Sequence, residues 1–92
     1  RRSGTENVAG AVGFTLALEL AEREREAGAA RVAALRDAVI AGILARVPAA
    51  RLTGDPDRRL PGTASFTFAG TSGEAILLEL ERRGFVSSSG SA

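Results

Sequence analysis

NVAGAVGFTLALELAEREREAGAARVAALRDAVIAGILARV, residues 7–47, is the stretch on which the fold turns. It contains no Pro and runs directly into Pro48, a residue that cannot continue a helix and that pushes its predecessor out of helical geometry. The spacing predicts one long helix, or two helices joined near Gly28. A Gly there costs about 1 kcal/mol against Ala and marks a kink or a close packing contact. The two halves carry different surfaces. In residues 8–21 the only ionisable side chain is Glu19, and Thr15, Glu19, Glu22 and Glu26 make a narrow polar stripe at steps of four, three and four. The remainder of that half is apolar and needs cover on most sides. In the second half Val32, Leu35, Val39, Ile43 and Val47 form a single stripe, as for a helix lying on one surface. One small sheet cannot cover both halves, so the chain reads as part of something larger.

Before the helix, residues 1–6 are polar, with Gly4 and Thr5 close to its start. Thr5 suits an N-cap, and Glu6 and Asn7 suit the first turn. The same residues suit an anion: backbone N–H groups and a hydroxyl at a helix start, with Arg nearby, are the chemistry that binds phosphate or carboxylate. Capping alone is the plainer local reading. Within the helix, Glu19–Arg23 and Glu22–Arg25 are spaced for surface ion pairs, each worth a few tenths of a kcal/mol.

After the helix the elements are small. Residues 51–53 read as a short strand, residues 54–57 as a turn, and residues 58–61 as exposed loop. Residues 63–69 form the best strand, with Ala64, Phe66 and Phe68 on one side and Ser65 and Thr67 on the other. Thr71, Ser72, Gly73 and Glu74 have the form of a capping box that opens a helix at about Gly73, with Ile76, Leu77 and Leu80 inward and Gly84 as C-cap. Phe85, Val86 and Ser87 read as a third strand. The fold class is α+β: a long kinked helix or two helices, a small three-stranded sheet and a short helix, in one partial domain. Its parts are residues 1–6, residues 7–47 and residues 48–92.

Composition removes whole classes of chemistry. The chain has 92 residues and a net charge of +1, and all twelve of its basic residues are Arg. It has no Lys, His, Cys, Met, Trp or Tyr. A His general base, a thiolate nucleophile, a Cys or His metal site and a Schiff-base lysine are therefore absent from it, and no metal ligation is expected. The charges are interspersed and the four aromatics are Phe, which argues against nucleic acid as a partner. No run of about 20 apolar residues spans a membrane, and the start lacks a signal-peptide pattern, so a cytoplasmic location is the default expectation.

Three segments are more specific. Arg2-Ser3-Gly4-Thr5-Glu6-Asn7 before an apolar helix start resembles the Arg-Ser-Gly-Thr segment of cysteine desulfurases, pyridoxal-phosphate enzymes of the class V aminotransferase group. Residues 53–63, TGDPDRRLPGT, resemble the stretch before the small-domain strand of that family, and residues 87–92, SSSGSA, resemble the loop that leads into its nucleophilic cysteine. All three occur in the family's order. The resemblance implies a fold like part of the small C-terminal domain of a fold-type-I enzyme, with residues 7–47 as the helix linking it to a large domain. It implies a homodimer in which Thr5, with Gly4 as a backbone contact and Arg2 as a supporting charge, holds the cofactor phosphate of the neighbouring subunit. It implies removal of sulfur from L-cysteine to give L-alanine and an enzyme persulfide, and delivery of that sulfur to an acceptor protein for iron–sulfur clusters, thiolated tRNA or cofactors. The family's Schiff-base lysine lies upstream and its cysteine would follow Ala92, so the 92-residue chain alone is expected to be inactive. The alternative is a stand-alone, non-catalytic helical module that binds a partner through residues 8–21.

Overall fold

The computed structural model describes residues 4–90. Four elements follow one another: α1 (Val8–Arg46), β1 (Ala50–Leu52), β2 (Phe66–Phe68) and α2 (Gly73–Arg82). The α+β class holds, with the strands as one antiparallel pair.

α1 is a single helix of 39 residues. At about 1.5 Å per residue it is roughly 58 Å long, which accounts for the 58 Å long dimension of the whole molecule. It runs through Gly28 without interruption, and a Cβ built on Gly28 meets nothing within 4 Å. The two-helix alternative and the close contact at Gly28 are therefore corrected. The Ala-rich and long unbranched side chains on both sides of Gly28 favour helix enough to carry one Gly. Val47 is the C-cap, extended at φ −120° and ψ 93° as a residue before Pro must be, and its N–H still reaches Ile43 O.

The capping residue at the other end is Asn7, not Thr5. The Asn7 side-chain Oδ1 accepts from the Gly10 N–H at 2.8 Å. Gly10 makes room for this: a Cβ there would lie 2.8 Å from Asn7 Nδ2. Thr15, the one hydroxyl of the apolar half, donates back to Ala11 O at 2.9 Å.

The sheet pairs Ala50 with Phe68, Arg51 with Thr67 and Leu52 with Phe66. Period-two alternation puts Ala50, Leu52, Phe66 and Phe68 on one face, and these are its more covered residues. The Phe66 and Phe68 rings lie 6.1 Å apart, tilted. β1 lies against α1, and Ala50 at that contact is the buried apolar residue of the described chain. The expected strand over residues 63–69 is shortened to three residues, because its partner is only three residues long before the Gly54 turn. The expected third strand at residues 85–87 does not form. It has no partner edge, and Val86 is fully exposed.

On the second half of α1 the covered positions are Gly28, Ala29, Val32, Ala33, Arg36, Ile40, Gly42 and Ile43. Val32 and Ile43 belong to the expected stripe, whereas Leu35, Val39 and Val47 are exposed. Leu35 and Val39 each precede a covered residue by one position, about 100° round the helix, so they face aside from the sheet. The first half is exposed throughout, including Val8, Val12, Phe14, Leu16, Leu18 and Leu20.

α2 begins at Gly73 as expected, but Ser72 rather than Thr71 is the cap, its Oγ accepting from the Ala75 N–H at 3.2 Å. Its end is a Schellman motif: the Phe85 N–H reaches Leu80 O at 2.9 Å and the Gly84 N–H reaches Glu81 O at 2.9 Å, with Gly84 at φ +89°.

The whole is open. Its radius of gyration is 19.2 Å, against about 12 Å for a compact chain of this length. Its accessible surface is 7950 Å², against roughly 5,000 Å² for a compact monomer of this mass. The excess lies largely on α1, whose apolar half has no cover among the described residues.

Candidate anion-contact segment

Gly4 and Thr5 lie in irregular, exposed backbone immediately before α1. Asn7 holds the cap, so the Thr5 hydroxyl stands two residues ahead of it and plays no part in closing the helix. A Cβ built on Gly4 meets nothing within 4 Å, so backbone and ligand could approach closely there. The first turn carries no acidic side chain, which leaves the positive end of the α1 dipole unopposed in that turn. A hydroxyl, backbone N–H groups and a helix N-terminus are the donor set an anion needs. Nothing among the described residues encloses them. Arg2, expected as a supporting charge, lies outside the described residues, as do Ser91 and Ala92.

The second expected site segment, residues 87–90, is exposed. Ser88 Oγ accepts from the Gly90 N–H at 3.0 Å, a local turn, and Gly90 takes φ +91°. Shallow grooves of about 340 Å³ and 390 Å³ run along two sides of α2. The first is lined by Leu77, Leu78, Phe85 and Val86 between Glu74 and Glu81, and neither includes Gly4 or Thr5. Among the described residues no group of three or more His, Cys, Asp and Glu side chains could hold a metal ion. No helix among them is long and apolar enough to cross a membrane.

The third segment is an ordered loop between β1 and β2. Asp55 Oδ1 accepts from the N–H groups of Asp57 at 2.8 Å and Arg58 at 2.9 Å. The Arg58 N–H first, then that of Asp57, holds the Asp55 carboxyl below its ordinary range, with the Arg59 charge adding to this. Arg59 donates through Nε to Asp55 O and through Nη2 to Thr53 O, each at 3.0 Å. Arg36 of α1 donates through Nη1 to Leu60 O at 3.2 Å. Sequence reasoning found the Asp-Pro turn but neither arginine, since a guanidinium bonding to a backbone carbonyl leaves no spacing signal. Of the surface pairs expected on α1, Glu22–Arg25 forms with contacts of 3.1 and 3.2 Å, and Glu19–Arg23 is not among the ion pairs of the described residues.

The family model for aminotransferase class-V matches residues 1–92, and the chain belongs to that family. Among its relatives, the cysteine desulfurase NifS of Azotobacter vinelandii is 53% identical over 92 residues, which is 100% of this chain and 23% of that protein. A cysteine desulfurase of Gluconacetobacter diazotrophicus is 48% identical over 92 residues, again 100% of this chain and 23% of the relative. The cysteine desulfurase IscS of Clostridium botulinum is 43% identical over 94 residues, covering 100% of this chain and 24% of the relative. The chain thus spans about a quarter of the length of the curated relatives it matches.

Proposed function

We propose that this chain is part of a pyridoxal-phosphate-dependent cysteine desulfurase and corresponds to most of its small C-terminal domain with the linking helix. The observation that carries the reading is the match along all 92 residues to proteins named cysteine desulfurase, at 53% and 48% identity for two of them. The stand-alone helical module is not favoured, because the matches to proteins named cysteine desulfurase cover 100% of this chain, α1 included.

The residues present fit a phosphate contact. Thr5 is released from capping by Asn7, and Gly4 leaves space beside it. In this reading the Thr5 hydroxyl and the Gly4 backbone N–H donate to phosphate oxygens of a cofactor bound in the neighbouring subunit of a homodimer. The positive end of α1 adds to the attraction. Pyridoxal phosphate, when bound, supplies the electron sink. The exposed apolar half of α1 packs against the large domain, and the tail from Ser87 carries the mobile loop of the nucleophilic cysteine. Sulfur taken from L-cysteine leaves as a persulfide for an acceptor protein, in the cytoplasm.

The test is an assay of alanine and sulfide from L-cysteine with pyridoxal phosphate and a reductant. The full-length protein is expected to turn over, and the 92-residue chain is expected to match a heat-killed control, having neither Lys nor Cys. A full-length protein that binds pyridoxal phosphate but releases no alanine from L-cysteine would contradict the proposal.

A further inference from the structure

The loop between β1 and β2 is held together from within. Asp55 and Arg59 bond to one another and to residues 53, 57 and 58, so these contacts shape the loop without fixing it to α1. Its one large apolar side chain does not fix it either, since Leu60 is 74% exposed. Its backbone meets α1 at two places: a Cβ on Gly62 would sit 3.5 Å from Val32 Cγ1, and Leu60 O receives the Arg36 guanidinium one turn further along the helix.

The Arg36 side chain is only 12% exposed, although charged. Asp37 Oδ1 accepts from its Nε at 3.0 Å and lies 2.9 Å from its Nη2, which turns the remaining corner, Nη1, toward Leu60 O. The planar fork of Arg can face a carboxylate and a carbonyl at once, which the single ammonium of Lys cannot do in the same geometry. Partial burial shields the Arg36 guanidinium from water.

We propose that Arg36 is a latch that fixes the loop of residues 54–62 onto α1, with Asp37 as the residue that aims it. The chain joins α1 to the sheet at Val47 and Pro48, and the latch adds a second joint about three turns up the helix. With both joints closed, the approach to β2 is fixed on α1. With the latch open, only its internal bonds hold the loop, and these open more often once it is free of α1. The inference does not rest on the reaction proposed above.

Hydrogen exchange read by mass spectrometry on the full-length protein tests it. Arg36→Gln is expected to speed exchange in peptides covering residues 54–63 by about tenfold or more, as for loss of a charge-assisted bond. Peptides from residues 8–27 and 73–83 are expected to stay as they were, and Arg36→Lys to recover part of the protection. Unchanged exchange over residues 54–63, or an equal rise everywhere, would overturn the latch. Should Arg36→Gln fail to fold, Asp37→Asn decides. It keeps the guanidinium and loses its aim, so a smaller rise confined to residues 54–63 supports the proposal and no rise overturns it.

Discussion

At the scale of single residues, the start of α1 separates two roles that sequence alone had merged. Thr5 and Asn7 are both good capping types two positions apart, and only the backbone path decides between them. Asn7 takes the cap, with Gly10 leaving room for its side chain. Asn7→Ala should therefore cost about 1 kcal/mol of stability, whereas Thr5→Ala should leave the melting temperature unchanged. Thermal melts of the two apo variants check this, and a Thr5→Ala loss as large as that of Asn7→Ala would return the cap to Thr5. Asp55 offers a second check. Its folded pKa is depressed by the N–H groups it accepts from, so its contribution is fully present above the ordinary Asp pKa of about 3.9 and is lost as pH falls through the lower folded value. Protection of the Asp57 and Arg58 amides should thus persist as pH falls past that ordinary value, and should be weak and independent of acid in Asp55→Ala. Exchange rates read by NMR between pH 5 and pH 2 (roughly the range that brackets a depressed carboxylate) measure it.

At the scale of elements, what could be read was periodicity and what could not was partnership. The Phe66 and Phe68 alternation, the α2 start at Gly73 and the Gly84 stop follow from local rules, and the structure keeps all three. Residues 85–87 have the composition of a strand but no edge to pair with here, and no local rule supplies one. Leu35 and Val39 make a convincing apolar row, yet the sheet lies to one side of it, because the short links at Pro48 and Leu60 set where β1 and β2 meet the helix. The low helix propensity of Gly28 suggests a kink, a close packing contact or a joint between two helices, and the neighbouring helix formers outweigh it. With open space at its Cβ, Gly28→Ala should raise stability by about 0.5–1 kcal/mol. A denaturant melt of the full-length protein reads this, and a loss of stability would mean that another part of the protein packs on Gly28. Of the candidate site, Thr5 and Gly4 were legible from their residue types and family resemblance, while Arg36 and Arg59 were not, since their partners are carbonyls far along the chain or in the loop itself.

At the scale of the whole molecule, the chain is a 39-residue rod with a small α/β end, and its apolar half stands uncovered. Such a surface is far larger than the scattered apolar exposure of ordinary monomers and calls for a large partner surface. In the proposed reading a large domain and a second subunit would provide one, and would also bring a phosphate to Thr5. The central claim is therefore that Thr5 acts across a dimer on a cofactor it does not share a chain with. The direct measurement is a pyridoxal phosphate titration of a mixed dimer of the full-length protein, in which one chain carries Thr5→Ala. Loss of a hydrogen bond to a charged group is worth about 1.5–3 kcal/mol, or roughly ten- to a hundredfold in affinity. The account predicts one normal and one weakened site, with the weakened site in the chain that still carries Thr5. Two sites of unchanged affinity, or a weakened site in the substituted chain, would contradict it.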